Sequence, residues 1–303
     1  MIHSDTAFLL HDRSLHTEGI DYDPDHDRFY LGSIHKRKII RVTPLGVATD
    51  FCEEGFEGMT SIFGLKVDGK RNVLWACSSP MQEMKNYDSI ARSAVFKFDL
   101  TTGRMLEKIQ RPSWEKDGVF GDLVINTHGE VFVSDSQTNT IFKVNENTHQ
   151  LEPYFTSPDF WNIQGLSFSG HDQYLFIADY IKGIFRLDTK TRELIEIKCE
   201  LEVSLKGIDG LSYYDNSLIA IQNGVTPARV VRYFLTSTQN QITRTETIDR
   251  KHPAFNEPTM GVLVKNNFYY IGNSQWGGYT ANHSIKPDDQ LQDIAILKVK
   301  LDP

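Results

Sequence analysis

Six short strand patterns, each opening on a small-residue anchor, predict an all-β chain folded as a six-bladed β-propeller of four-stranded antiparallel blades. The anchors Gly19, Gly64, Gly121, Gly165, Gly210 and Gly261 lie roughly 44 to 57 residues apart, the spacing of propeller blades. A turn and two further apolar runs follow each anchor. The ends of the chain supply the third observation: the last unit offers only three strands, and one apolar segment precedes the first unit.

That leading segment, residues 6–10, has no partner in blade one. It is expected to complete blade six as the fourth strand and so remove the open sheet edges. Blade one opens at Glu18-Gly19-Ile20-Asp21-Tyr22 and blade two at Phe63-Gly64-Leu65-Lys66-Val67. Blade three opens at Gly121-Asp122-Leu123-Val124-Ile125, with strands expected over 123–126, 130–134, 140–144 and 150–155. Blade four, Gln164-Gly165-Leu166-Ser167-Phe168, shows the unit most cleanly, over 165–168, 174–178, 183–187 and 192–197. β-Branched and aromatic residues fill these runs, and Gly, Asp, Asn and Lys fill the turns between them. Blade five begins at Asp209-Gly210-Leu211-Ser212-Tyr213 and blade six at Met260-Gly261-Val262-Leu263-Val264, followed by runs over 268–272 and 294–301. The six units take up nearly all 303 residues, so residues 1–303 are expected to form a single domain. No WD dipeptide ends a third strand and no Gly-Gly pair opens a second one, which argues against WD-repeat and kelch membership.

A formal charge of −8 and a pI near 5.7 argue against nucleic acid or an anionic membrane as partner. Cys52, Cys77 and Cys199 form no CxxC pair and suit a reducing compartment. No run reaches the ~18 apolar residues of a membrane span. The N-terminus lacks the basic-then-apolar order of a signal peptide, so a cytoplasmic location is expected. Nothing in composition fixes an oligomeric state.

Residues just before each first strand should face the ring axis. Glu18, Gln164 and Asp209 hold that place in blades one, four and five, and Asp122 follows Gly121 in blade three. Two carboxylates and an amide oxygen make a hard oxygen site, suited to calcium or magnesium more than to zinc. Each acid taken alone also reads as an acceptor for turn hydrogen bonds. Two long connections, 79–92 in blade two and 275–290 in blade six, should overhang one side of the mouth. They carry Met81, Met84, Tyr87, Trp276 and Tyr279, an expected wall for a small-molecule pocket. Trp114, Phe160 and Trp161 lie in loops that enter first strands, where they would line the pocket or pack between blades. Asp135 and Asp179, after second strands, read as ties for blade turns, and Lys36-Arg37-Lys38 as an exposed turn. Nucleophile-elbow, phosphate-loop, GxGxxG and HExxH motifs are absent.

Glu18-Gly19, Asp209-Gly210-Leu211 and Gln164-Gly165-Leu166 with the following Tyr174-Leu175-Phe176-Ile177-Ala178-Asp179 resemble the senescence-marker-protein/gluconolactonase family of six-bladed propellers. Diisopropyl-fluorophosphatase and the paraoxonases are more distant relatives of that family. The resemblance spans the chain but rests on short motifs. It implies a divalent cation on the axis, held by Glu18, Gln164 and Asp209, and hydrolysis of a lactone or related ester. Calcium is the expected cation, with magnesium, manganese and zinc as the others such a site admits. Asp209, or Asp122 as second choice, would act as general base or nucleophile, and Trp161, Tyr87, Trp276 and Tyr279 would contact substrate. His11 and His16 would stand where paraoxonase-like enzymes carry a base and its relay. The chain departs from the family at three places: Gln164 replaces an Asn, Gly121 replaces another, and Val119 falls where some members carry a sugar-acid-binding Arg. The alternative is a propeller that binds a ligand or serves as a scaffold and has lost the chemistry. A strictosidine-synthase-like ring, which works without a metal, is a third reading.

Overall fold

The computed structural model describes residues 3–113 and 118–302. Six sheets follow one another around a closed ring. Numbering strands A to D outward from the axis, the innermost strands are Thr17–Asp23, Ser61–Asp68, Phe120–Ile125, Ile163–Phe168, Ile208–Tyr214 and Gly261–Val264. Central strands such as Val131–Asp135 are buried throughout, because neighbouring blades cover both of their faces. Tight hairpins join A to B; in blade five Asp215-Asn216, both with positive φ (43° and 50°), make the two-residue turn between Tyr214 and Ser217.

Closure follows the expected route. Asp5–Leu10 pairs antiparallel with Ile294–Lys300, from Asp5 opposite Lys298 to Leu10 opposite Ile294. Phe8 and Leu10 go into the apolar layer between blades six and one. The Ser4 backbone N–H donates to Asp249 Oδ2 at 3.0 Å, stitching the segment to blade five as well.

Two details differ from the sequence reading. Blade five gains a short fifth strand, Lys198–Cys199, parallel to its outermost strand Gln241–Arg250. The fourth strand of blade four shrinks to Leu194–Glu196, with Ile197 turned to accompany Ile184.

The innermost strands of blades one to five begin before the predicted openings, and the anchors lie inside them. In blades one to five the pairing of strand A with strand B shifts register at the anchor, as between Thr17 and Ile20 or Ile163 and Leu166. Such bulges bend a strand and re-aim a side chain, which here sends Glu18, Gln164 and Asp209 towards the axis. The glycines answer a steric demand at the same place. A Cβ on Gly19 would overlap the carbonyl oxygen of Phe63 in blade two, and one on Gly165 would lie 2.7 Å from the Asp209 carbonyl oxygen in blade five. Blades therefore approach backbone to backbone around the axis, and only glycine fits.

Candidate functional site

The mouth of the ring holds a cavity of about 340 Å³. Its walls include Glu18, Gln164, Asp209, Asn223, Glu257 and Trp276, contributed by four blades. A wider surface groove of about 570 Å³ lies between blades three and four on the opposite face, but charges there, such as Lys143 and Glu130, neutralise each other.

Glu18 is only 4% exposed. Ser274 Oγ donates to its Oε1 at 2.5 Å, and Trp276 Nε1 donates to the same oxygen. Both donors thus reach Oε1, which leaves Oε2 to the cavity. Its backbone is fixed too: Thr259 Oγ1 donates to the Glu18 carbonyl oxygen at 3.1 Å, linking blade six to blade one. Burial, and then the nearby Asp209 charge, push the Glu18 carboxyl well above the usual carboxylate range.

Asp209 opens on the cavity but is poorly hydrated there. Burial pushes its carboxyl up to about 6, against the hydrogen bond from Asn223 Nδ2 to Oδ2 at 2.7 Å. Tyr180 in turn donates its hydroxyl to Asn223 Oδ1 at 2.9 Å. This Tyr180–Asn223–Asp209 chain orients the carboxylate and leaves Oδ1 toward the cavity. The Gln164 amide is set in the same way: its Nε2 donates to Asn162 Oδ1 at 2.7 Å, while Asn162 Nδ2 donates to the Ser136 carbonyl oxygen at 3.1 Å. Gln164 Oε1 remains as the inward acceptor.

The ring therefore brings together Glu18, Gln164 and Asp209 as expected from position, with Trp276 as a lining aromatic. Asp122 is not in the cavity wall. It occupies the place of an anchor glycine, and its carboxylate turns between blades three and four, accepting from the backbone N–H groups of Leu123 at 2.8 Å and Leu166 at 3.1 Å. Tyr279 stands behind Trp276 and shares a hydrogen bond with His16 Nδ1. The His16 ring meets Trp276 edge-on at 4.4 Å, and burial holds its imidazole down to about 3, hence neutral. His11 is turned to the surface, where Nδ1 meets Asp293 Oδ2 at 2.8 Å. Trp161 is 66% exposed and Tyr87 45%, and neither lines the cavity. Phe160 is fully buried between blades, and Trp114 lies outside the described residues.

The two long connections do meet, as their Glu83 and His283 pair at 2.7 Å. Met81 from the first reaches the cavity wall. Asp135 and Asp179 accept from backbone N–H groups of the following turns, at 2.9 Å to Gln137 and 3.0 Å to Ile181.

Sequence reasoning missed Asn223, Tyr180 and Glu257. Tyr180 and Asn223 each follow directly after a second strand, Tyr174–Asp179 and Ser217–Gln222, so a comparison of those positions across blades would have found them. Glu257 lies three residues before Met260, hidden because the residue before the anchor of blade six is apolar.

Among the described residues three carboxylates, Glu18, Asp209 and Glu257, face this space, and no Lys, Arg or His lines it. Among the described residues no three His, Cys, Asp or Glu side chains cluster closely enough to hold a metal ion by themselves. The donor set still fits a hard cation, through Glu18 Oε2, Asp209 Oδ1, the Gln164 amide oxygen and water, because calcium and magnesium accept mixed oxygen ligands.

No protein-family model matches the chain, and no curated protein matches it. Solved structures do. The PQQ-bound aldose sugar dehydrogenase from Streptomyces coelicolor superposes with a TM-score of 0.66 at 12% identity, over 97% of this chain and 96% of that one. A gluconolactonase from Xanthomonas campestris gives 0.64 at 11% identity, over 93% and 85%. A luciferin-regenerating enzyme gives 0.63 at 11%, over 94% and 91%. These likenesses establish the six-bladed ring. The ring alone carries dehydrogenase and lactonase chemistry among them, so activity must be argued from the site. The three cysteines are free thiols, and no helix among the described residues is long and apolar enough to cross a membrane.

Proposed function

We propose that the protein is a hydrolase of a small ester or lactone, working at the axial cavity with a divalent cation, calcium first. The observation that carries this reading is the convergence of Glu18, Gln164 and Asp209, each with one oxygen turned into a cavity that no basic side chain among the described residues lines. These three residues would hold the cation. When bound, the cation would polarise the carbonyl and offset the negative charge that develops on its oxygen.

The chain's own groups do the rest. Asp209 Oδ1 would meet the cation with one lone pair and take the proton from the attacking water with the other, while Asn223 holds Oδ2 and sets the angle of the carboxylate. Without the cation, burial raises this carboxyl to about 6, and a bound cation would favour the ionised form that a general base needs at neutral pH. Trp276 and Met81 roof the site and restrict water to the reacting molecule. Phe63 and Tyr180 add apolar and aromatic wall for the substrate body. Trp161 and Tyr87, on exposed loops, would meet only the outer end of a longer substrate.

A second reading is a propeller that binds and does not cleave. It is favoured by the saturation of Glu18 Oε1 with two donors and by the absence of a ready three-carboxylate cluster among the described residues. The test is a panel of aryl esters and lactones assayed on chelator-treated protein, before and after calcium is restored. Turnover that returns with the cation and is lost in Asp209→Ala supports the hydrolase. Ligand binding with no turnover on any ester or lactone supports the second reading.

A further inference from the structure

The charge of the cavity bears on which substrates it admits. Glu257 stands at its rim, on the segment leading into blade six, with a left-handed φ of 63°. Its carbonyl oxygen accepts from the Ser274 N–H at 3.0 Å, and its Oε2 from the Gly277 N–H at 3.3 Å. Both bonds tie it to the loop that carries Trp276, so the carboxylate is held beside the indole rather than swinging free. No ion pair among the described residues engages it, and it is not one of the three residues assigned to the cation.

Deeper in the same cavity lies Glu18 Oε2, on a side chain more than nine-tenths buried, with no donor among the described residues. Among the described residues the remaining wall carries no positively charged side chain: Val119 and Gly121 are apolar, and Gln137, Asn223 and Gln164 are neutral. Aromatic faces from Trp276, Tyr180 and Phe63 complete it. Carboxylates over aromatic faces attract ammonium and guanidinium groups and repel carboxylates.

Resting on the hydrolase reading, we propose that the substrate carries a positive charge, an alkylammonium or guanidinium group, received by Glu257 beside Trp276. Glu257 is then the residue that sets specificity, and esters or lactones bearing a carboxylate are rejected by like-charge repulsion.

The test uses matched probes that cannot be hydrolysed, benzyltrimethylammonium and phenylacetate, titrated calorimetrically into calcium-loaded protein. The expected result is binding of the ammonium alone, weakening as salt rises, and about tenfold weaker in Glu257→Gln. Glu257→Lys should abolish ammonium binding and admit phenylacetate. Because Glu257 is solvent-exposed, melting curves of both variants should match the parent and exclude misfolding as the cause. Equal affinity for the two probes, no ammonium binding, or no effect of Glu257→Gln overturns the proposal. Displacement of the ammonium by calcium also overturns it, since the charge would then sit on Glu18 and Asp209. Binding is read without turnover, so the two readings fail separately. A protein that holds the ammonium but cleaves no ester loses only the hydrolase. One that cleaves neutral and anionic esters without holding the ammonium loses only the charge selectivity.

Discussion

Asp209→Asn removes one charge from a cavity that, among the described residues, is lined by three carboxylates and no basic side chain, and the size of its effect can be worked out. The Asp209 carboxyl is raised from the ordinary 3.8 to about 6, mainly by burial. Below the ordinary value the residue is neutral in both the folded and the unfolded chain, so the substitution changes little there. Between about 3.8 and about 6 the unfolded chain ionises freely while the folded protein, where the charge is poorly hydrated, keeps its proton. Stability is lost over that window, by at most about 3 kcal/mol, and less to the extent that cavity water screens the charge. Asparagine keeps an acceptor for Asn223 Nδ2 and avoids the charge. In chelator at pH 8 the variant should therefore melt about 2 to 6 °C above the parent, at roughly 2 °C per kcal/mol for a chain of this size. At pH 4 the two should melt together. Calorimetric scans at both pH values make the comparison. A variant that melts lower at pH 8, or differs from the parent equally at both pH values, would show that burial of the Asp209 charge does not cost the fold stability.

Four further outcomes follow from the same contacts. Asn223→Ala removes the donor that lowers the Asp209 carboxyl, so the acid limb of the pH–rate profile should move to higher pH and kcat should fall, about tenfold or more, with KM little changed. Trp276→Phe keeps the ring but removes the N–H on Glu18 Oε1, which should cost about 1 kcal/mol in denaturant unfolding. Gly165→Ala forces a Cβ against blade-five backbone 2.7 Å away and should cost about 3 kcal/mol or more by the same measurement, where an exposed strand glycine would gain from alanine. Deletion of residues 1–10 strips the outer strand from blade six, exposing the edge of Ile294–Lys300 and losing the burial of Phe8 and Leu10; a lower unfolding midpoint and concentration-dependent association are expected, read by denaturation and light scattering.

The ring was legible because its requirements fall on residue types. Backbone contact around the axis demands glycine at Gly19, Gly64, Gly165 and Gly210, and that demand repeats visibly along the chain. Counting strands then placed the N-terminal segment in blade six. The bulges were not legible, since a slipped pairing has no residue-type signature; they explain why Glu18, Gln164 and Asp209 sit inside strands yet point inward. Asp122 shows the limit of reading by position. One place along the strand from Gly121, it falls in a glycine slot, where its carboxylate serves the seam between blades. Loop direction is equally silent in the sequence: Trp276 turns onto Glu18, whereas Trp161 and Tyr87 turn to solvent. Glu257 reaches the cavity only because its loop folds back on Ser274 and Gly277.

Binding of a divalent cation by Glu18, Gln164 and Asp209 in the axial cavity is read by calcium titration of chelator-treated protein followed by thermal melting. A cation at about 100 times its dissociation constant adds about 2.7 kcal/mol. A reversible rise of several degrees is expected in the parent and none in Asp209→Ala. No rise with calcium, magnesium, manganese or zinc, or an equal rise in Asp209→Ala, would contradict it.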